Sequence, residues 1–359
     1  MKVFSRCLTA SSIVSCALLA MGCATTNMPS ISSDELRAER ANQLERTLTF
    51  GRNQNVRIFN LLWPLLEKNT DLCGSLTRPS VGMRYAWPAR RGEANPLVAR
   101  VRDAIYDFDS RVVIYAVAAG SPAAKAGVRP GDRVTSLATW DWSESNAQIF
   151  NREFQDRLHA VARHGSVDLK VERDGAMVAL TLEPVNACNV TSALDSSLDV
   201  QARTNGREIV VTHGMAVRLD DEQIRTVLAH ELAHCTMGHL RKATLNSGVG
   251  FFVDLVFLSQ KIWLGGAFTQ MSQNAGSIGL EREADYVSMY LLAKAGFSTE
   301  NRAELWRNLA DEVSFTGSFF KTHPYSPERY LLLTKTHEEI ETKRSNNEDL
   351  IPTGLEQRG

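Results

Sequence analysis

The sequence predicts an α+β chain in which a small, strand-rich domain over residues 79–185 precedes a mainly helical domain over residues 186–343. Three observations predict it. Short apolar runs at 112–117, 167–171 and 177–182 are bounded by turn residues, as strands are. Apolar residues recur at helical spacing around Ile224, Val227, Leu228 and Leu232, and again at Ala284, Val287, Leu291 and Ala295. A length of 359 residues leaves room for more than one core. Charge is nearly balanced, with Lys+Arg 40 against Asp+Glu 41, so bulk electrostatics give no support for nucleic-acid binding.

At the N-terminus, Lys2 and Arg6 flank the start of an apolar run from Leu8 to Leu19 that is too short and too rich in Ser to span a bilayer. The run closes on Leu18-Leu19-Ala20-Met21-Gly22-Cys23-Ala24. Small residues before a Cys at this place resemble a bacterial lipobox, although Ala20 stands where Leu is usual. The resemblance implies a lipoprotein signal peptide over 1–22, cleavage before Cys23 and a lipid anchor on its thiol. An ordinary secretory signal with a chance Cys is the alternative. Ala24, in place of Asp, implies the periplasmic face of the outer membrane for a Gram-negative lipoprotein. Residues 23–78 then read as a tether and N-terminal helices. Residues 34–69 are helical, with Leu36, Leu44, Leu48, Ile58, Leu61, Leu62, Leu65 and Leu66 inward, and Gly51 and Pro64 as interruptions. Of the cysteines left after export, Cys235 reads as a buried thiol. Cys73 and Cys188 are then a plausible disulfide in an oxidising compartment.

The strand-rich domain is marked by residues 119–134. Ser121 can cap a short helix with Pro122 at its first position, Gly127 can end that helix, and Pro130-Gly131 can turn into a strand. Residues 167–171 and 177–182 flank Arg173-Asp174-Gly175, a hairpin signal. The order strand, one-turn helix, Pro-Gly turn and strand resembles the PDZ domains attached to bacterial envelope proteases. The resemblance implies peptide binding by strand addition, with a chain end held by backbone amides at Val81, Gly82 and Met83. A PDZ fold kept only as a spacer is the bland alternative. Trp140 and Trp142 replace a usual polar turn, which suggests packing against the neighbouring domain.

The sharpest chemical signal is His230-Glu231-Leu232-Ala233-His234. Asp220 is a good N-cap with Gln223 three residues on. On the helix that follows, His230 and His234 lie one turn apart on one face, a spacing that suits one tetrahedral zinc. Glu231 stands beside them as a general base for a water that the metal activates. His239 lies five residues beyond His234 and would point about 140° away on a continuing helix, so it reads as structural. After Asn274 to Gly279, expected to be flexible, a second helix opens with Glu281-Arg282-Glu283-Ala284-Asp285. Glu281 and Asp285 flank its apolar side, and Glu283 faces away. Inward carboxylates need a partner, which makes Glu281 the third ligand and Asp285 the acceptor that fixes a ligand imidazole.

These residues resemble the HtpX and CAAX prenyl protease family of zinc endopeptidases. So do Asn205 to Met215, Gly238-His239, Thr322-His323-Pro324 and Arg329. The resemblance implies a mainly helical zincin fold of gluzincin type and one Zn2+ per chain. It implies polypeptide substrates, unfolded or misassembled envelope proteins among them. Ile209, Val210, Val211 and Thr212 would form the strand that pairs with substrate. His323 would lie near the metal and plug or assist the site, and Arg329 would anchor the loop. A chaperone or assembly factor that binds unfolded envelope proteins with little cleavage is the competing reading. The tail, 344–359, is polar and expected to be disordered.

Overall fold

The structure is a computed structural model that describes residues 28–88, 95–239, 267–313 and 326–353. The chain divides into two compact units, 1–43 and 44–359. Cys23, the residues 1–22 and His323 lie outside the described residues. No described helix is long and apolar enough to cross a membrane.

Helix α1 (Ser33–Lys68) runs through Gly51 and Pro64 without a break. Its last three turns carry the apolar load: Ile58, Leu61, Leu62, Leu65 and Leu66 are buried, whereas Leu36, expected inward, is exposed. Within the second unit, one polar residue on this helix and one just past its end bind the core. The Arg57 guanidinium donates to the carbonyls of Ala216 and Leu219, each at 2.8 Å. The Asn69 amide donates to the carbonyls of Leu65 and Leu291. A short helix α2 (Thr70–Cys73) leads into strand β1 (Thr77–Ser80).

The strand-rich domain then follows in chain order. It contains β2 (Met83–Ala86), α3 (Pro96–Tyr106), β3 (Val113–Val117), α4 (Pro122–Lys125), β4 (Arg133–Leu137) and β5 (Trp140–Asp141). Helix α5 (Ala147–Ala162) and the hairpin β6 (Val167–Arg173) and β7 (Ala176–Leu182) complete it. The strand order is β2-β3-β4-β6-β7, with β5 on β4. Local chemistry explains the turns. The Ser121 hydroxyl caps α4 by accepting from the Ala124 amide. Asp174 and Gly175 both take positive φ, 50° and 78°, as a two-residue hairpin turn of this twist requires. Alternate residues of β6, Val167, Leu169 and Val171, are buried on the side shared with Phe150 and Phe154 of α5. Among the described residues, Trp140 and Trp142 pack on the core of their own domain, where packing against the neighbouring one was expected. Trp140 stacks on Phe150 with ring centres 4.3 Å apart, and Trp142 packs on the same core under Arg111.

Chain entry to and exit from this domain are paired. Strand β8 (Val185–Cys188) runs antiparallel to β1. The ribbon is stapled beside its base by the Cys73–Cys188 disulfide, with Cα atoms 5.7 Å apart.

Strands do not end at 186, as the sequence reading expected. After β8 come β9 (Thr191–Asp195), β10 (Ala202–Thr204) and β11 (Glu208–Thr212), in the order β10-β11-β9. Strands β9 and β10 are short and mostly polar, which hides their alternation, whereas β11 covers the strand expected at 209–212. The Arg84 guanidinium on β2 donates to the Ser192 carbonyl and hydroxyl on β9, so the two sheets are joined by a direct polar contact. Helices α6 (His213–Arg218), α7 (Asp221–Thr236), α8 (Ala267–Lys294), α9 (Arg302–Val313) and α10 (Pro327–Ser345) finish the fold. Residues 274–279, expected to be flexible, are already part of α8. The tail is also ordered as far as described: Thr353 hydrogen-bonds Tyr286 and Glu339, and Lys343 donates to the Ile351 carbonyl.

The disulfide closes a loop spanning 115 residues of sequence, which in the chain-entropy account is worth up to about 5 kcal/mol. Cys188→Ala should therefore lower the denaturant midpoint well below wild type, with a loss of about 2–5 kcal/mol. A midpoint matching wild type would remove the staple from the account.

Candidate metal centre

Helix α7 starts where the sequence places it. Asp220 and Gln223 form both halves of a capping box, at 2.8 and 2.9 Å. Ile224, Val227, Leu228 and Leu232 are fully buried, so the helix sits in the core and its register is fixed. That register also buries His230 and Glu231. Helix α8 packs against α7 through Ala284, Val287 and Leu291, and brings Glu281 and Asp285 to the two histidines.

The geometry can be stated atom by atom. His230 Nε2 and His234 Nε2 are 3.1 Å apart. Glu281 reaches both, with Oε2 at 3.3 Å from the first and Oε1 at 3.4 Å from the second. These are the spacings a metal demands. Four ligands at zinc distances of about 2.0–2.1 Å in a tetrahedron lie about 3.3–3.4 Å from one another. Two nitrogens and a carboxylate at these separations therefore fit one zinc ion, and no other His, Cys, Asp or Glu cluster among the described residues meets the same criterion.

The supporting shell is as specific. His230 Nδ1 stands 3.1 Å from Asp285 Oδ1. Asp285 is gripped in turn by Arg329 of α10, through Nε at 2.5 Å and Nη2 at 2.7 Å. Arg329 also lies 3.5 Å from Glu281. Arg329 thus holds Asp285, the carboxylate that meets the His230 imidazole. Trp306 of α9 packs edge-on against the His230 ring and lies under the Arg329 guanidinium.

Electrostatics follow from this packing. Burial works against a charged His230, but its bonds to Asp285 and Glu281 outweigh that and push it up to about 9 without metal. Burial dominates at His234 and pushes it down. Burial would raise Asp285, yet the bonds from Arg329 and His230 hold it below the usual carboxylate range. Burial also pushes the Cys235 thiol up to about 12, and it contacts the Thr204 hydroxyl at 3.0 Å, as a core cysteine and not a nucleophile.

Three sequence expectations need correction here. His239 does not point away from His234. Helix α7 stops at Thr236 and Gly238 takes a positive φ of 63°, so His239 does not follow the register of a continuing helix. His239 Nδ1 then stands 2.8 Å from His234 Nδ1. Glu283 does not face away either, because its Oε2 lies 3.0 Å from His239 Nε2. The Gly238-His239 pair was the sequence signal for this change, since a glycine just past a helix end favours a left-handed turn. The third correction concerns Ile209, Val210, Val211 and Thr212. Strand β11 is central, paired with β10 on one edge and with β9 on the other, so its backbone has no open edge for a substrate. Val81, Gly82 and Met83 lie where β1 passes into β2, with Gly82 at a φ of 70°, and they line a groove between β2 and α5 together with Leu158 and Ala162.

Comparison with known proteins agrees with the geometry. Residues 163–337 match Peptidase family M48, and residues 113–138 match the PDZ domain. The M48 match includes the β6–β7 hairpin, which the structure assigns to the strand-rich sheet. Two curated relatives are each similar to part of the chain. The mitochondrial metalloendopeptidase OMA1 of Saccharomyces cerevisiae is 28% identical over 144 residues, 36% of this chain and 41% of its own length. The metalloprotease YcaL of Escherichia coli is 30% identical over 145 residues, 38% of this chain and 57% of its own. The match thus spans only about half of either relative. Among solved structures, the HtrA-type protease AlgW with decapeptide is 19% identical, covers 31% of this chain and 30% of its own, and has a TM-score of 0.23.

Asp285 is wholly buried, so its charge depends on its partners. Arg329→Met should destabilise the protein by about 3–5 kcal/mol in chemical denaturation, because it removes the guanidinium that balances a buried carboxylate. A loss under about 1 kcal/mol, as for a surface pair, would contradict this role.

Proposed function

We propose that the chain, which matches Peptidase family M48 over residues 163–337, is a zinc-dependent endopeptidase that hydrolyses peptide bonds of polypeptides, with Glu231 as general base. The observation that carries the proposal is the His230, His234 and Glu281 cluster at zinc spacing, with a buried Glu231 on the same helical turn. Zinc held there would polarise a scissile carbonyl and make a water easier to deprotonate at neutral pH. The chain supplies the rest. Glu231 takes the water's proton and returns it to the leaving amine. Asp285 and Arg329 keep His230 in the orientation that presents Nε2.

Substrate pairing falls to β10 and not to β11. Strand β10 ends its sheet, and no described strand occupies its other edge. It lies against α7 through the Thr204–Cys235 contact, one residue beyond His234. A substrate segment added along Ala202–Thr204 would therefore run beside the metal ligands. The loop at Val81, Gly82 and Met83 is read as the place where the PDZ domain takes a chain end. His323 is retained as a proposal for a residue that plugs or assists the site.

The envelope assignment is also a proposal, supported by the Leu19-Ala20-Met21-Gly22-Cys23 pattern and by a cysteine pair bonded as in an oxidising compartment. It gives a lipoprotein held through Cys23 at the periplasmic face of the outer membrane, acting on unfolded or misassembled envelope proteins. Radiolabelled palmitate should enter the full-length chain expressed in a Gram-negative host and should not enter Cys23→Ala. Equal label in both would remove the anchor.

Glu231→Gln should retain one zinc per chain and lose casein cleavage by about 10²–10⁴-fold, and a chelator should abolish cleavage by wild type. Undiminished cleavage by Glu231→Gln would sink the mechanism. Zinc-free wild type that still suppresses aggregation of unfolded protein, with no cleavage in either state, would favour the chaperone reading.

A further inference from the structure

One carboxylate on α8 is left without a role by the zinc centre. Glu281 holds the metal and Asp285 holds His230, but Glu283 stands between them in sequence and about 200° round the helix from Glu281. It nevertheless meets the site, because the turn at Gly238 brings His239 to it. His239 is almost wholly shielded from solvent, so its ring nitrogens are placed by packing and not by water.

We infer that Glu283, acting through His239, is a positioning residue that sets the metal-binding tautomer of His234. This rests on the reading of His230, His234 and Glu281 as zinc ligands. The proton assignment follows from the distances. His234 Nε2 faces His230 Nε2 and Glu281, so it must offer a lone pair to a metal and its proton belongs on Nδ1. That N–H, 2.8 Å from His239 Nδ1, donates to it. His239 Nδ1 is then an acceptor, and its own proton belongs on Nε2. The Nε2–H donates to Glu283 Oε2 at 3.0 Å. The opposite assignment would put a proton on His234 Nε2, where the metal binds, and would leave His239 Nε2 as a lone pair facing a carboxylate. The 3.0 Å contact with a Glu283 oxygen is met by an N–H on His239 Nε2, which is the first arrangement.

The two histidines are therefore supported differently by one helix. His230 meets Asp285 directly, and His234 meets Glu283 through an intervening imidazole. The three acids at 281, 283 and 285 all serve one metal centre. Partners of this kind are worth about 10–100-fold in metal affinity.

The test is zinc competition against a chromophoric chelator with the full chain, read beside the visible spectrum of the cobalt-substituted form. Glu283→Ala and His239→Ala should each weaken zinc by about 10–100-fold. The double variant should be no weaker than the worse single one, because the two residues act in series. Glu283→Gln, whose carbonyl can still accept from His239, should stay much closer to wild type. Glu283 is about a quarter exposed, with a side-chain accessibility of 28%, so its variants should fold and melt like wild type without metal even if His239→Ala does not. Zinc affinity and cobalt spectrum unchanged in Glu283→Ala, while His230→Ala loses zinc, would overturn the inference and leave the centre standing. Additive losses in the double variant would overturn it too. Zinc binding by His230→Ala as tight as wild type would overturn the zinc centre itself, and the inference with it.

Discussion

His230 and Asp285 are both sealed from solvent, 3.1 Å apart, in a core where neither a lone imidazolium nor a lone carboxylate is tolerated. The rest of the structure depends on satisfying that pair. Arg329 supplies the opposing charge, which is why α10 must return across α8. Trp306 closes the space between the imidazole and the guanidinium, which is why α9 lies where it does. The apolar seam of α7 against α8 sets the distance over which the polar groups meet. Packing therefore places the ligands before any metal arrives, and the polar groups are arranged so that two Nε2 atoms and one carboxylate are left facing one another.

The same logic explains the architecture around the centre. The strand-rich domain is inserted between β1 and β8, and the disulfide at the base of that ribbon keeps its two ends together. Arg57 and Asn69 fasten α1 to the end of α6 and to α8. Arg84 fastens β2 to β9. The strand-rich domain is thus joined to the β10-β11-β9 sheet, whose strand β10 lies against the ligand helix through Thr204 and Cys235.

Much of the site was legible in the sequence because its ligands lie on amphipathic helices. Helical spacing put His230 with His234 and Glu281 with Asp285, and the Asp220 capping box set the start of α7. What was not legible depended on where the chain leaves regular structure. His239 was assigned to a continuing helix, but the helix ends at Thr236, and a five-residue offset no longer fixes direction past Gly238. Glu283 was misplaced for the same reason, since its partner lies beyond that point. Strands β9 and β10 are not legible because a three-to-five-residue strand with mostly polar positions gives too little alternation to see. The resemblance gives residues 209–212 as the strand that pairs with substrate, but which strand lies at a sheet edge is set by tertiary pairing, and β11 is paired on both edges. The strand-rich domain was recognised from one turn-rich stretch, while its helices α3 and α5 were read only after the fold was known.

The central claim is that His230, His234 and Glu281 hold one zinc ion, supported by Asp285. Anomalous diffraction from zinc-loaded crystals at the zinc edge tests it most directly. The account predicts a single strong peak about 2.0–2.2 Å from both Nε2 atoms and from a Glu281 oxygen. No peak at that place, or a peak whose protein ligands do not include Glu281, would contradict it.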